Sequence, residues 1–380
     1  MAFLSCADKL FQESNWIALD KPSNCASADA ELDQISFNSP DSHPASLLFC
    51  PHCFYKVIII GGKGYNIGFG VRIEILGTES LGVRGMCCAV QVNDRKVVID
   101  PGVALGFRRH GLLPHPVQVA ASERTRKKIQ RALKDATDVV ISHYHGDHIP
   151  LINANPYQLS MERVAESLKY PRLWLKGISN ISANQAHRAR ALTKRVDRSF
   201  TVAEGWSDGP LSFSLPVPHG EVSKRGGEVM MTRIEDESGV FVHASDIQML
   251  NDEAIERIIL WQPNVVFASG PPIYLPALSF KEQGKALHRA LQLAREVDIL
   301  ILDHHLMRSR KGEQWLDWVS SLSGHKIICA ADFMKRPRSL LEAERVLCYR
   351  KAPVRKGWHE SYALGRVDVQ AYLKMNGIHF

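Results

Sequence analysis

The sequence predicts an α/β fold, and three observations support this prediction. Residues 71–76 alternate apolar and polar side chains, as a half-buried strand does. The runs Ala89–Val92 and Lys96–Asp100 are two further strands, joined by a short polar turn as in a hairpin. Residues Ser122–Asp135 form a predicted helix with Ser122 as its N-cap, and this helix leads into the apolar strand Val139–Ile141.

The composition is that of a globular protein without membrane spans. The chain has 380 residues, of which 45% are hydrophobic and 23% are charged, enough for one large domain or two of ordinary size. The longest aliphatic run, Val57–Ile60, is far shorter than the roughly 20 apolar residues of a spanning helix. The start, Met1–Cys6, has no basic leader, and the eight cysteines are too scattered for a disulfide framework. We therefore predict a cytoplasmic protein with no membrane partner, and nothing in the sequence predicts an oligomeric state.

Residues 1–70 are predicted to be an N-terminal extension of unclear structure, separate from a domain at 71–380. The first 55 residues carry a charge of −5 and the remainder carries +12. The stretch Pro22–Pro44 has no sustained period, which is typical of loop or poorly ordered chain. Cys50 and Cys53 have the spacing of a redox dithiol or half of a zinc knuckle, but no second cysteine pair accompanies them. We interpret them as two ordinary cysteines.

The most informative stretch is Ile141–His148, which holds three imidazoles and one carboxylate within six positions. His143 and His145 lie two apart and point the same way if the strand continues through them. Asp147 and His148 fall where a following helix would begin, and their side chains can reach the same volume. Neutral imidazoles with one carboxylate suit Zn(II) and similar divalent ions, so the sequence predicts a metal site here.

Here the sequence resembles the metallo-β-lactamase superfamily. The resemblance rests on five segments in the expected order, Val98–Gly102, His143–His148, Pro218–Gly220, Val240–Asp246 and Ile299–His305. More narrowly, it is similar to an uncharacterised, largely archaeal group of metal-dependent hydrolase-like proteins in that superfamily, in the segments Glu79–Arg84, Asp100–Leu105, Leu302–Leu306 and Ala330–Phe333. The likeness covers residues from about 71 to about 360, so 71–380 is assigned as the metallo-β-lactamase-like domain.

The resemblance implies a four-layer αββα sandwich with two metal ions at the sheet edge, most simply two Zn(II) per chain, with Fe or Mn as alternatives. The first metal would be held by His143, His145 and His219. The second would be held by Asp147, His148 and a late histidine, which is either His304 or His305. We prefer His305, although strand alternation leaves both open. Asp246 would bridge the two metals, and Asp100 would orient a ligand by accepting its outer N–H.

The implied chemistry is hydrolysis by a hydroxide held between two metals, because coordination lowers the pKa of water toward roughly 7. Asp147 is the catalytic residue expected from this scheme. A leaving group also needs a proton, and the candidate donors are His243 and whichever of His304 and His305 is not a ligand. The alternative role for His243 is packing beside Asp246.

The charge of the chain after residue 55 favours a phosphoester or phosphodiester substrate, either a small molecule or a nucleic acid. A predicted helix at 181–200 places four basic side chains on one face, namely His187, Arg190, Lys194 and Arg198. A solvated basic face is the alternative interpretation of that helix. The segments 157–206 and 308–313 are expected to border the pocket mouth. Alternative functions are a lactone or thioester hydrolase of the same fold, or a non-hydrolytic metal-binding or nucleic-acid-binding protein.

Overall fold

A computed structural model describes residues 70–220 and 227–377 throughout, together with the backbone of three earlier strands, Asp33–Phe37, Ala45–Phe49 and Tyr65–Ile67. The chain divides into two units, Met1–Ile60 and Gly61–Phe380. In the first unit the strands β1 (Asp33–Phe37) and β2 (Ala45–Phe49) pair antiparallel. Strand β1 lies inside the stretch 22–44, which was predicted to be loop or poorly ordered chain, so that prediction was wrong at Asp33–Phe37. The rest of that stretch lies outside the described residues, as do Cys50 and Cys53, so their interpretations stay predictions.

Two mixed seven-stranded sheets form the body of the second unit. The first sheet contains, in spatial order, β3 (Tyr65–Ile67), β4 (Val71–Gly77), β5 (Cys87–Val92), β6 (Arg95–Ile99), β7 (Asp138–Ile141), β8 (Arg172–Leu175) and β9 (Thr201–Val202). The second contains β10 (Ser207–Asp208), β11 (Leu211–Phe213), β14 (Thr232–Asp236), β15 (Gly239–Ser245), β16 (Val265–Ala268), β17 (Ile299–Leu302) and β18 (Ile327–Ile328). A small ribbon pairs β12 (Val217–Pro218) with β13 (Glu228–Val229).

Helices cover the outer face of each sheet. The described α-helices are α1 (Pro116–Lys134), α2 (Ala183–Val196), α3 (Asp252–Leu260), α4 (Phe280–Glu296), α5 (Arg310–Leu322), α6 (Ala330–Phe333), α7 (Arg345–Lys351), α8 (Trp358–Ala363) and α9 (Val369–Met375). Short 3-10 helices occur at Glu79–Leu81, Met161–Arg163, Ser167–Lys169 and Leu306–Arg308.

The apolar residues sort into layers because successive strand residues face opposite sides of a sheet. One core joins α1 and α2 to the first sheet through residues such as Val98, Val139 and Leu173. A second core joins α3, α4 and α5 to the second sheet. The two sheets also contact each other, as the Trp174 and Phe213 rings do at 5.4 Å between centroids. The predicted four-layer αββα arrangement is therefore confirmed.

The predicted strands 71–76 and 139–141 and the hairpin of β5 and β6 are confirmed. The hairpin turns at Asn93, whose φ of 50° belongs to the left-handed region. The predicted helix start was wrong. The helix α1 begins six residues earlier than Ser122, with His115 as N-cap and Pro116 in its first turn, and Ser122 is buried inside it. Histidine is not a preferred N-cap, which explains why the sequence pattern pointed to serine.

The described chain forms no helix at Asp147 and His148, contrary to the expectation. Residues 146–148 form a turn in which the His148 amide donates to the His145 carbonyl at 3.1 Å. The chain then pairs back on itself, because the Leu151 amide donates to the Leu159 carbonyl. The basic helix after it is confirmed as α2, which ends at Val196.

Within the residues that the structure describes, no helix has both the length and the apolar character needed to cross a bilayer.

Gly102 lets two backbone segments approach closely beside the cluster. A Cβ on Gly102 would lie 2.3 Å from both the carbonyl carbon of His148 and the amide nitrogen of Ile149. The turn that carries Asp147 and His148 therefore packs directly on the Gly102 backbone.

We predict that Gly102→Ala lowers the free energy of unfolding by about 1–3 kcal/mol, because the added methyl group must push the 147–149 backbone away. Gly284→Ala is the matched control, since a Cβ there meets no described atom within 4 Å inside helix α4. It should instead raise the free energy of unfolding by roughly 0.5–1 kcal/mol. Urea unfolding of both variants measures this difference, and equal effects would contradict the packing role of Gly102.

Candidate metal centre

The polar residues of the site follow the ends of four strands and lie at one edge of the sandwich. Asp100 follows β6, the histidine cluster follows β7, Asp246 follows β15 and His304 follows β17. The strands β6 and β7 run parallel, as do β15, β16 and β17, so their carboxyl ends meet at the same edge of each sheet. Polar residues after such strands are held on a rigid scaffold.

Asp147, His148 and His304 form one cluster of possible metal ligands, with ligand atoms within 4.8 Å of one another. The Nε2 atoms of His148 and His304 are 3.4 Å apart. Asp246 Oδ1 lies 3.2 Å from His148 Nε2 and 3.4 Å from His304 Nε2, and Asp147 Oδ2 lies 3.5 Å from His304 Nε2. Four potential ligand atoms thus face a common point.

Two buried carboxylates orient the imidazoles of this cluster. Asp100 Oδ2 lies 2.9 Å from His148 Nδ1, and Glu79 Oε2 lies 2.6 Å from His304 Nδ1. Each carboxylate accepts the Nδ1 proton, so in a neutral ring the Nε2 lone pair points toward Asp246 and its partner imidazole. Asp246 Oδ1 is buried and accepts no hydrogen bond from the described residues. Acceptor atoms that converge on one point are the arrangement that a cation satisfies.

Arg308 borders the same cluster. Its Nε donates to Glu79 Oε1 at 2.6 Å, and its Nη2 lies 2.7 Å from His304 Nε2 and 3.6 Å from Asp147 Oδ2. Burial alone would lower the pKa of Arg308, but Glu79 and Asp147 raise it well above its usual value, so the guanidinium stays charged. A metal ion that took the His304 Nε2 lone pair would replace this hydrogen bond.

His143, His145 and Asp246 form the other cluster. His143 Nε2 lies 2.9 Å from His145 Nδ1, and Asp246 Oδ2 lies 3.3 and 3.4 Å from these two nitrogens. The outer nitrogen of His143 contacts the Ser142 hydroxyl at 2.9 Å, and that hydroxyl donates to Asp100 at 2.6 Å. Asp246 therefore presents one oxygen to each cluster, which is the geometry expected of a bridging carboxylate.

His219 lies beside this cluster but outside its tight core. Its ring centroid is 6.2 Å from that of His143 and 5.7 Å from that of His145. Its Nδ1 is 3.3 Å from the Gln248 amide nitrogen. On the far side of His145, the Gln185 amide nitrogen lies 3.2 Å from Nε2. His219 is thus placed to be the third imidazole of the first cluster.

The geometry favours His304 as the ligand beside Asp147 and His148, whereas the sequence interpretation prefers His305. His304 is buried and belongs to two groups of possible ligands, one with Asp147 and His148 and one with Asp246 and His305. His305 belongs only to the second of these groups. Among the described ligand carboxylates, its Nε2 contacts only Asp246 Oδ2, at 3.4 Å. Strand alternation could not settle this choice because both residues follow the end of β17.

His243 makes no hydrogen bond to the ligand atoms among the described residues. It is fully buried in β15, and its Nε2 donates to the Met86 carbonyl at 2.9 Å. Its ring also packs edge-on against Phe267, with 5.4 Å between centroids. These contacts favour the packing role of His243, and the proton-donor role predicted for it gains no geometric support from the described residues.

The electrostatics keep most of the imidazoles ready to bind a metal. Burial lowers the pKa of His143, His219 and His305 to about 4, so these rings are neutral at neutral pH. His148 differs, because Asp246 and Asp100 outweigh its burial and raise its pKa well above the usual value. A proton on His148 is therefore what a metal ion would replace. The donor set of imidazoles and carboxylates fits a divalent metal ion such as Zn(II).

Sequence patterns did not identify three groups that support the ligands. Glu79 and Arg308 lie 229 residues apart, and the contact between them has no local signature. Ser245 donates to Asp100 Oδ2 at 3.1 Å. For Glu79 the available signal was its place in the segment Glu79–Arg84, and for Arg308 it was the segment expected at the pocket mouth.

Comparisons with known proteins agree with this geometry. A family model for the metallo-beta-lactamase superfamily matches residues 82–153, which include the histidine cluster. A UPF0282 protein of Methanosarcina mazei is 47% identical over 303 residues, which are 80% of this chain and 100% of that protein. A UPF0282 protein of Pyrococcus furiosus is 32% identical over 286 residues, which are 72% of this chain and 91% of that protein.

The chain belongs to the UPF0282 family. The predicted superfamily is confirmed with it, and UPF0282 thus carries the metallo-β-lactamase fold of metal-dependent hydrolases. Among solved structures, an isothiocyanate hydrolase from Delia radicum gut bacteria has a TM-score of 0.40 at 14% identity, covering 65% of this chain and 94% of that chain. Similarity at that level is too weak to bear on the function of this UPF0282 protein.

We predict that Asp100→Asn weakens metal binding by roughly 10–100-fold. Asn tolerates the positive φ of 47° at this position, so the backbone is retained. Its amide N–H can face His148 Nδ1, which forces the ring proton onto Nε2 and removes the lone pair needed for the metal. Competition with a chromophoric chelator measures the affinity. Asp94→Asn, in the exposed hairpin turn, is the control, and equal affinities in both variants would contradict the orienting role of Asp100.

Proposed function

We propose that this protein is a binuclear metal-dependent hydrolase that uses two Zn(II) ions and acts on a phosphoester or phosphodiester. The single observation that carries the proposal is Asp246, whose two carboxylate oxygens face separate groups of imidazoles. Two divalent ions in such clusters supply a water of lowered pKa and polarise a phosphoryl oxygen.

The protein's own residues account for orientation and charge in this scheme. Asp100 and Glu79 fix the imidazole tautomers, and Asp147 adds a carboxylate beside His304. Although burial raises the pKa of Asp147, His148 and His304 hold it below its ordinary range, so the carboxylate is ionised. A charged guanidinium, Arg308, stands beside these ligands and favours an anionic substrate.

We assign the proton donor for the leaving group to His305. Its ring contacts Asp246 Oδ2, its side chain is 16% exposed, and it is the late histidine outside the Asp147 cluster. The neutral ring can accept the proton released by the attacking water and then, as imidazolium, donate it to the leaving group, which returns the ring to its neutral form.

We also propose a cytoplasmic location. The cysteines among the described residues, Cys87, Cys88, Cys329 and Cys348, are free thiols, which persist in reducing compartments.

Metal analysis and hydrolysis assays on Asp147→Ala test the main proposal. We expect about two metal ions per chain in the natural protein and a loss of the second in the variant. Hydrolysis of bis-p-nitrophenyl phosphate should fall by at least about 100-fold, because a metal ion contributes several kcal/mol of charge stabilisation. Asp94→Ala should leave both quantities unchanged. Fewer than about one metal per chain in the natural protein, or equal hydrolysis by the two proteins, would reject the two-metal scheme, whereas hydrolysis of lactones alone would redirect the substrate class.

Single-stranded RNA as the phosphodiester is a further part of the proposal, and helix α2 is the surface that supports it. His187, Arg190 and Lys194 are exposed on that helix, and Arg198 follows its end.

We predict that replacing Arg190 and Lys194 together by serine reduces the slope of log K against log salt for RNA binding by about 1.4, or roughly 0.7 per lost phosphate contact. Fluorescence anisotropy at several salt concentrations measures the slope. The exposed pair Arg355 and Lys356, replaced in the same way, is the control. If the two double variants lose equal slope, α2 is a solvated basic face and not an RNA contact.

A further inference from the structure

Next to the metal centre, three arginines converge on one carboxylate. Glu342 Oε1 accepts from Arg84 Nη2 at 2.6 Å and lies 3.8 Å from Arg109 Nη1, while Oε2 accepts from Arg345 Nη2 at 2.9 Å. Glu342 is 4% exposed, and the pKa of its carboxyl is lowered, since these guanidinium groups outweigh its burial. One negative charge therefore faces three positive charges.

Not all N–H donors of these three arginines have a hydrogen-bond partner among the described residues. Each nitrogen of Arg345 has a partner, because its Nε donates to Gln118, its Nη1 to the Leu112 carbonyl and its Nη2 to Glu342. By contrast, the Nε atoms of Arg84 and Arg109 are buried and have no hydrogen-bond partner among the residues that the structure describes. Buried donors without partners are uncommon in proteins and call for an explanation.

The cluster remains open to solvent at two of its members. The Arg84 side chain is 25% exposed and that of Arg109 is 15% exposed, so a small ion can approach the outer edges of both guanidinium groups, although their Nε atoms are buried. The Arg109 guanidinium also lies 5.3 Å from the centroid of the Tyr274 ring, which restricts its position. Gly106 makes room for the arrangement, because a Cβ there would lie 2.4 Å from Arg84 Nη2 and 2.5 Å from Glu342 Oε1.

Arg308 connects this cluster to the metal ligands. Arg109 Nη2 donates to the Arg308 carbonyl at 2.6 Å, and the Arg308 guanidinium contacts His304 and Asp147. On the other side, the Gly85 amide, directly after Arg84, lies 3.4 Å from His304 Nδ1. Arg109 is therefore linked to the Asp147 cluster through Arg308, and Arg84 is linked to it through the neighbouring Gly85.

We propose that Arg84 and Arg109 form an anion subsite that binds a phosphate group of the substrate, away from the bond that is cleaved. Guanidinium groups bind phosphate oxygens through paired N–H donors, and two unbalanced positive charges favour a dianionic terminal phosphate over a neutral group. As a substrate subsite the inference rests on the proposed hydrolytic function, but anion binding by these arginines can be measured without any reaction. The substrate class is then a phosphoester that carries a second, terminal phosphate.

Binding of inorganic phosphate to the full-length protein, measured by isothermal titration calorimetry, tests the subsite. Arg109→Met and Arg84→Met should each weaken binding at least about 10-fold, because each removes one of the two guanidinium groups that hold the anion. Arg366→Met, at an exposed arginine, should leave it unchanged. Arg84→Lys, which retains the charge beside Glu342, should recover part of the affinity even if Arg84→Met proves unstable.

The same titration in the Asp147→Ala background separates this subsite from the metal centre. We expect the arginine effect to persist there, because the described contacts of Arg84 and Arg109 do not include Asp147. Phosphate binding that Asp147→Ala abolishes and Arg109→Met leaves intact would belong to the metals and would overturn the subsite. Absence of hydrolysis together with arginine-dependent phosphate binding would instead reject the hydrolase proposal and retain the anion site.

Methyl phosphate and dimethyl phosphate distinguish the kinds of phosphate. The dianionic monoester should bind at least about 10-fold more tightly than the monoanionic diester, and this difference should disappear in Arg109→Met. Equal binding of the two esters by the natural protein would contradict a subsite for terminal phosphate.

Discussion

The orientation of imidazole lone pairs by buried carboxylates is the interaction on which this site depends. Asp100 accepts from His148 and Glu79 accepts from His304, at 2.9 and 2.6 Å. Each of these hydrogen bonds places the ring proton on the outer nitrogen and directs the inner lone pair toward Asp246. Without the carboxylates the rings could carry their protons inward, and the cluster would lose its affinity for a cation. The metal affinity of the site therefore depends on Asp100 and Glu79 as well as on the ligands themselves.

The fold keeps these acids in place through contacts between distant parts of the chain. Asp303 is the central example, because it accepts from the Thr78 hydroxyl and from the amides of Ser80 and Ala330, at 2.9 Å each. These bonds hold the short helix that carries Glu79 against the end of β17, next to His304. The close approach of Gly102 to the 147–149 backbone serves the other half of the site. The positions of Glu79, Asp147 and His148 thus depend on hydrogen bonds and backbone packing at the sheet edge.

Charge is distributed unevenly around the site. The ligand clusters combine imidazoles, of which His148 has a raised pKa, with the ionised carboxylates of Asp147 and Asp246. Arg308 borders these ligands, and Arg109 contacts Arg308. A cation bound by the carboxylates and an anion bound by the arginines satisfy different parts of this surface. The arrangement suits a substrate whose reacting group meets the metals while a second anionic group is held a short distance away.

The sequence by itself determined the strands 71–76 and 139–141 and the histidine cluster, because local periodicity and ligand spacing are encoded in adjacent residues. The roles of Asp100 and Asp246 were implied instead by the resemblance to the metallo-β-lactamase superfamily. Only the tertiary structure decided that His304, and not His305, joins Asp147 and His148, since both follow one strand end and the choice depends on Glu79, 225 residues away. The turn at 146–148 was likewise decided by packing, because it lies against the Gly102 backbone. Long-range contacts leave no signature at neighbouring positions, which is why the arginine cluster and its unpaired donors became visible only in three dimensions.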